Sequence, residues 1–93
     1  MADVKIKQMP AFKRAYKKVH VQNKSIVDAA IRDIVHNPTL GQEKKGDLAG
    51  VCVYKFKMHH QDMLLAYEWA LEERLLLALG VHENFYRDLK KRL

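Results

Sequence analysis

Apolar residues recur along this chain with two different periods, and the change of period divides it. Pro10 is placed for a first helical turn, and Phe12, Ala15, Tyr16 and Val19 follow at the three-four spacing of an amphipathic helix. Lys13, Arg14, Lys17 and Lys18 fall outside that stripe; they could touch phosphates, although a solvated helix exterior is the plainer reading of any one of them. Asn23 is placed to cap a second helix carrying Ile26, Val27, Ala30, Ile31 and Ile34, which should end near Asn37-Pro38. Two consecutive helices predict a hairpin.

The pattern then disappears from Pro38 to Gly50, where three glycines, one proline and the pair Lys44-Lys45 mark a basic loop. Period two replaces it. Cys52, Tyr54, Phe56 and Met58 share one face of a predicted strand, and Val51, Val53, Lys55 and Lys57 share the other. Val4 to Lys7 alternate over a shorter run that suits an edge strand. From Asp62 to Gly80 both periods fit. The Leu, Ala and Glu content favours a helix capped by Asp62 and ended by Gly80. Alternatively, Met63, Leu65, Tyr67 and Trp69 line one strand face, with a turn at Leu71 to Glu73 and Leu75, Leu77 and Leu79 alternating back. Phe85, Tyr86, Leu89 and Leu93 outline a terminal amphipathic helix, with Glu83 near its start and Lys90, Lys91 and Arg92 near its end suiting the helix dipole.

Composition narrows the function more than the fold. Ninety-three residues at 48% hydrophobic content predict one domain over residues 1–93 with one modest core. Seventeen Lys and Arg against eleven Asp and Glu give a formal charge of +6, and the pI near 9.6 favours an acidic partner: RNA, DNA or an acidic protein. Cys52 has no second cysteine to pair with, and no C-x-x-C or His/Cys cluster suggests zinc, so a reducing, cytoplasmic setting is expected with neither metal nor cofactor. Glu68, Glu72, Glu73 and Arg74 interrupt the longest apolar-rich stretch, which argues against a membrane span.

The candidate chemistry gathers near the C-terminus. Gly80-Val81-His82 joins an apolar segment to a basic helix, and an imidazole at such a junction can titrate near neutral pH and reach a ligand. Taken alone, His82 is more often a structural histidine, Tyr86 as readily a core residue, Lys55 and Lys57 an edge-protecting pair, and His59-His60 a polar turn. Trp69, Tyr67 and Leu65 read as core, and Cys52 as buried rather than reactive.

The order of features resembles the RelE/ParE superfamily of toxins from bacterial type II toxin-antitoxin modules over nearly the whole chain. The resemblance is carried by Gly46-Asp47-Leu48-Ala49-Gly50 leading into Val51-Cys52-Val53-Tyr54-Lys55, by Leu64-Leu65-Ala66-Tyr67, and by Leu77-Ala78-Leu79-Gly80-Val81-His82-Glu83-Asn84-Phe85-Tyr86. It implies an α+β fold in which two N-terminal helices pack on a small antiparallel sheet, with a C-terminal helix, and it decides the ambiguous segment in favour of strands. The closing motif is most similar to the YafQ-like branch, whose members cleave ribosome-bound mRNA. That implies catalytic roles for His82 as proton donor or acceptor, Tyr86 as a substrate contact, Lys55 in place of a second histidine and Asp62 in place of an aspartate. Lys44, Lys45, Lys57, His59, His60 and Arg87 would be RNA contacts. Leu64 stands where RelE-type nucleases often carry arginine, and Gln42 where the branch has its first histidine. The implied partners are a cognate antitoxin and the ribosome with bound mRNA. The alternative is a ParE-like, non-enzymatic inhibitor of DNA gyrase.

Overall fold

Pro10 opens helix α1 (Pro10–Lys18) where its missing N–H costs nothing, and Phe12, Ala15, Tyr16 and Val19 pack toward the core as their spacing predicts. A computed structural model describes residues 3–81 together with Phe85 and Leu89. Helix α2 (Lys24–His36) buries Val27, Ala30 and Ile34 and stops just before Asn37-Pro38. Asn23 holds the N-cap position as expected, but its side chain makes no capping hydrogen bond: the backbone there is already helical (φ −96°, ψ −8°) because a short 3₁₀ turn, Val21–Asn23, leads into the helix. Two tyrosines fix α2 in place, Tyr16 donating to Asp28 at 2.8 Å and Tyr54 to Asp33 at 3.1 Å.

The strands are β1 (Lys5–Gln8), β2 (Gln42–Glu43), β3 (Cys52–Met58), β4 (Gln61–Ala70) and β5 (Glu73–Val81), in the sheet order β1-β5-β4-β3-β2. The sheet is mixed rather than wholly antiparallel, since β1 runs parallel to β5 along one edge. At the other edge β2 arises inside the expected loop, too short for any period to reveal. The segment from Asp62 to Gly80 is strand, not helix. Leu64, Leu65, Ala66 and Tyr67 are buried consecutively, as a central strand covered on both faces requires.

A bulge in β5 overturns the expected alternation of Leu75, Leu77 and Leu79. Ala66 pairs with Ala78 but Tyr67 with Leu76, so Leu77 is the extra residue. Leu76 and Leu79 consequently join the core beneath the helices, whereas Leu75 and Leu77 join a second core on the opposite face. Trp69 is also not core: it is 42% exposed, opposite Arg74, whose guanidinium lies 5.8 Å from its ring centre.

Arg74 is 3% exposed and bonds carbonyls only, donating to Ile34 and Val35 in the last turn of α2 and to Ala70 and Glu73 beside the hairpin turn. It satisfies helix-end acceptors and places positive charge at the negative end of the helix dipole. Tyr67, fully buried, fixes the loop after α2 by donating to the Pro38 carbonyl at 2.6 Å and accepting from the Gly41 N–H at 3.0 Å. A Cβ at Gly41 would lie 2.5 Å from that hydroxyl, so only glycine fits as the chain enters β2.

Candidate functional site

The two faces of the sheet differ in what covers them. Helices α1 and α2 cover one; on the other, Leu48, Val51, Val53, Leu64, Ala66, Leu77 and Ala78 form a second core with Phe85 and Leu89, which are helical and buried. Gly80, expected to end a helix, instead lies within β5, where a Cβ would meet the Phe85 ring at 3.4 Å. That roof covers the middle of the face and leaves its end near the β3–β4 turn exposed. Cross-strand register determines which side chains meet there, because opposed residues project to the same side.

Three rows cross this face. Gln42 stands opposite Val53, which pairs with Ala66 and through it with Ala78. Lys55 stands opposite Leu64, which pairs with Gly80; Lys57 stands opposite Asp62. Lys44 joins the first row by donating from Nζ to the Gln42 side chain at 3.1 Å. The Lys57 ammonium lies 2.7 Å from the Asp62 carboxylate, with the two side chains 68% and 38% exposed. Such an exposed pair orients its partners more than it stabilises the fold. Lys55 is exposed and has no ion-pair partner among the described residues.

The sequence-predicted residues therefore divide. Lys44, Lys55, Lys57 and Asp62 share one face. Lys45 is exposed in the loop ahead of the Gly46 turn. His59 and His60 form the exposed β3–β4 turn, where His59 adopts φ 58° and its Nε2 lies 2.8 Å from Asn23 Oδ1. That contact draws the His59 ring toward the start of α2, away from the lysine rows. His82, Tyr86 and Arg87 lie outside the described residues; β5 reaches Val81, opposite Met63, one position before His82. Leu64 is 2% exposed beneath the roof, so no cation stands at that position; the cation of its row is Lys55, opposite. Gln42, read in sequence only as a missing histidine, supplies an amide to this face; the two-residue strand that places it there left no period to detect.

Cys52 is excluded as a nucleophile by its surroundings: it is 3% exposed, and burial, reinforced by the charge of Glu43, raises its thiol pKa. Among the described residues no group of three or more His, Cys, Asp or Glu side chains could hold a metal ion. What the face offers is ammonium groups beside a carboxylate and an amide, a set suited to holding phosphate and stabilising added negative charge on it.

Residues 6–90 match a family model described as the ParE-like toxin of type II bacterial toxin-antitoxin systems. The fold matches the E. coli toxin RelE in its free state, as a mutant, with TM-score 0.72 and 15% identity over 100% of this chain and 99% of that one. The YoeB/ParE toxin of Agrobacterium tumefaciens matches with TM-score 0.67 and 16% identity, over 85% and 99% of the respective chains. A chain of the intact E. coli RelBE toxin-antitoxin complex gives 0.67 and 13% identity, over 86% and 98%. No curated protein sequence matches.

Proposed function

We propose that this chain, which belongs to the ParE-like toxins of type II bacterial toxin-antitoxin systems, is a metal-independent endoribonuclease that cleaves ribosome-bound mRNA and so arrests translation. The observation that supports this best is that Lys55, Lys57 and Asp62 stand together on one sheet face, at the end where β5 leads into His82, with Gln42 and Lys44 farther along the same face. Cleavage through the 2′-hydroxyl removes that proton, forms a bond from the 2′-oxygen to phosphorus, and breaks the bond to the 5′-oxygen, which takes up a proton as it leaves. Lys55 stabilises the negative charge gathering on phosphorus, and Asp62 holds Lys57 beside it. His82 is the proton carrier, the only one of these groups suited to both giving and taking a proton near neutral pH. Tyr86 positions the substrate base, while Lys44, Lys45, His60 and Arg87 contact the RNA backbone.

An antitoxin is the proposed protein partner. Beyond Val53 the outer edge of β3 has no neighbouring strand among the described residues, and exposed Lys55 and Lys57 flank it. An acidic segment that orders on docking would satisfy both the edge and the charge. Among the described residues no helix is long and apolar enough to cross a membrane.

One observation favours a second reading, non-enzymatic inhibition of DNA gyrase: Leu64 is buried where RelE-type nucleases often carry arginine. Two assays on purified protein separate the readings. Codon-specific cuts in a mapped transcript, dependent on added ribosomes and absent with His82→Ala, support the nuclease. Loss of gyrase supercoiling without any cut supports the inhibitor.

A further inference from the structure

Helix α1 presents Lys13, Arg14, Lys17 and Lys18 to solvent, opposite the buried Phe12, and its nine residues include no carboxylate. The neighbouring helix shows the ordinary alternative. In α2, Lys24 precedes Asp28 by one turn, and Arg32 sits beside Asp33. In α1 the one-turn pairs are Lys13 with Lys17 and Arg14 with Lys18, like charges that weaken an isolated helix. None of the four joins an ion pair among the described residues. Asp28, the carboxylate that α2 brings to α1, is engaged by the Tyr16 hydroxyl, and Lys24 lies over the Tyr16 ring at 5.1 Å, adding a cation at the flank.

We propose that this face of α1 is a second RNA-binding surface that holds phosphate backbone on the side of the sheet remote from Lys55 and Lys57. The chemistry of the face selects the partner. Docked peptides are anchored by apolar pockets or by an open strand edge. The exposed side of α1 has neither, because its large apolar residues, Phe12 and Tyr16, turn toward the core with Ala15 and Val19. Phosphate binding needs only positive charge in a repeating array, and residues four apart on a helix rise about 6 Å along its axis. The choice of RNA over DNA rests on the proposed function, which sets a large RNA assembly against the opposite face; the phosphate contact itself does not depend on cleavage.

The test measures binding by the full chain of a 2′-O-methylated RNA hairpin, which cannot be cut through its 2′-oxygen, across a salt series. Each lysine on phosphate contributes about one to the slope of log affinity against log salt. Lys17→Gln/Lys18→Gln should therefore flatten the slope by about two and weaken binding on the order of tenfold near ~0.1 M salt. Lys17→Arg/Lys18→Arg should keep both, and thermal melting should show no loss of fold in either variant. An unchanged slope in the glutamine variant overturns the proposal. So does a loss confined to a DNA duplex of the same sequence, or one confined to an acidic peptide. Because the probe resists cleavage, an inactive nuclease leaves this outcome readable, and a cleaving enzyme with an unchanged slope rejects this surface alone.

Discussion

The two faces of one sheet are built to different ends. Beneath α1 and α2, Phe12, Val27, Ile34, Leu65, Tyr67 and Leu76 are nearly or fully buried, and the polar groups at the margin are matched as Tyr16 with Asp28 and Tyr54 with Asp33. On the opposite face a comparable core stops short of the β3–β4 turn, where Lys55, Lys57 and Asp62 stand in water. Strands alternate sides, so the same residues that fix Tyr54 and Phe56 under the helices aim Lys55 and Lys57 outward. A rigid core on one side thus holds the spacing of charges on the other, and damage to the two faces should be separable.

The largest break is expected beneath the helices. Phe12→Ala should destabilise the fold by about 3–5 kcal/mol, since a fully buried aromatic leaves a cavity that neighbours cannot close; chemical denaturation would measure it. Lys55→Gln sharpens the contrast. It should lower the cleavage rate on the order of 100-fold, equivalent to about 2.7 kcal/mol of barrier, while the denaturation midpoint stays put because the side chain is exposed. Tyr67→Phe should cost about 1–3 kcal/mol by leaving the Gly41 N–H and Pro38 carbonyl without their partner, and should loosen the loop that delivers Gln42 and Lys44, seen as faster amide exchange there.

The smallest effect is a pH dependence confined to the helix side. Hydrogen bonding to Asp28 raises the Tyr16 pKa above its ordinary 10.0. Burial, then the bond to Asp33, raises that of Tyr54. A raised phenol pKa means that the folded state favours the neutral form, so this stability is fully present below pH 10 and is lost as pH rises through the folded-state values. Melting temperature should fall above pH 10 in the native chain and fall less in Tyr16→Phe/Tyr54→Phe. An equal fall in both would assign the alkaline loss elsewhere.

The sequence made most of this fold legible where period and chemistry agreed. Phe12, Ala15, Tyr16 and Val19 marked α1, and the alternation from Cys52 to Met58 marked both the buried and the lysine-bearing sides of β3. It was ambiguous over β4 and β5 because a strand buried on both faces carries no alternation, and its Leu and Ala content also suits a helix. The bulge at Leu77 was invisible because register depends on the partner strand. Arg74 looked like an interruption of an apolar run; its role as the terminus of α2 depends on carbonyls 39 and 40 positions away. At the site, the shared face of Lys55 and Lys57 followed from alternation and Asp62 from the family resemblance alone, whereas the place of Gln42 and Lys44 on that face depends on the contact of Gly41 with Tyr67.

The most direct test is a single-turnover measurement of cleavage of mRNA on programmed ribosomes at saturating enzyme, comparing the native chain with Lys55→Gln. A fall on the order of 100-fold with an unchanged melting temperature is the predicted result. Cleavage by Lys55→Gln at the native rate would contradict the assignment of this face to catalysis.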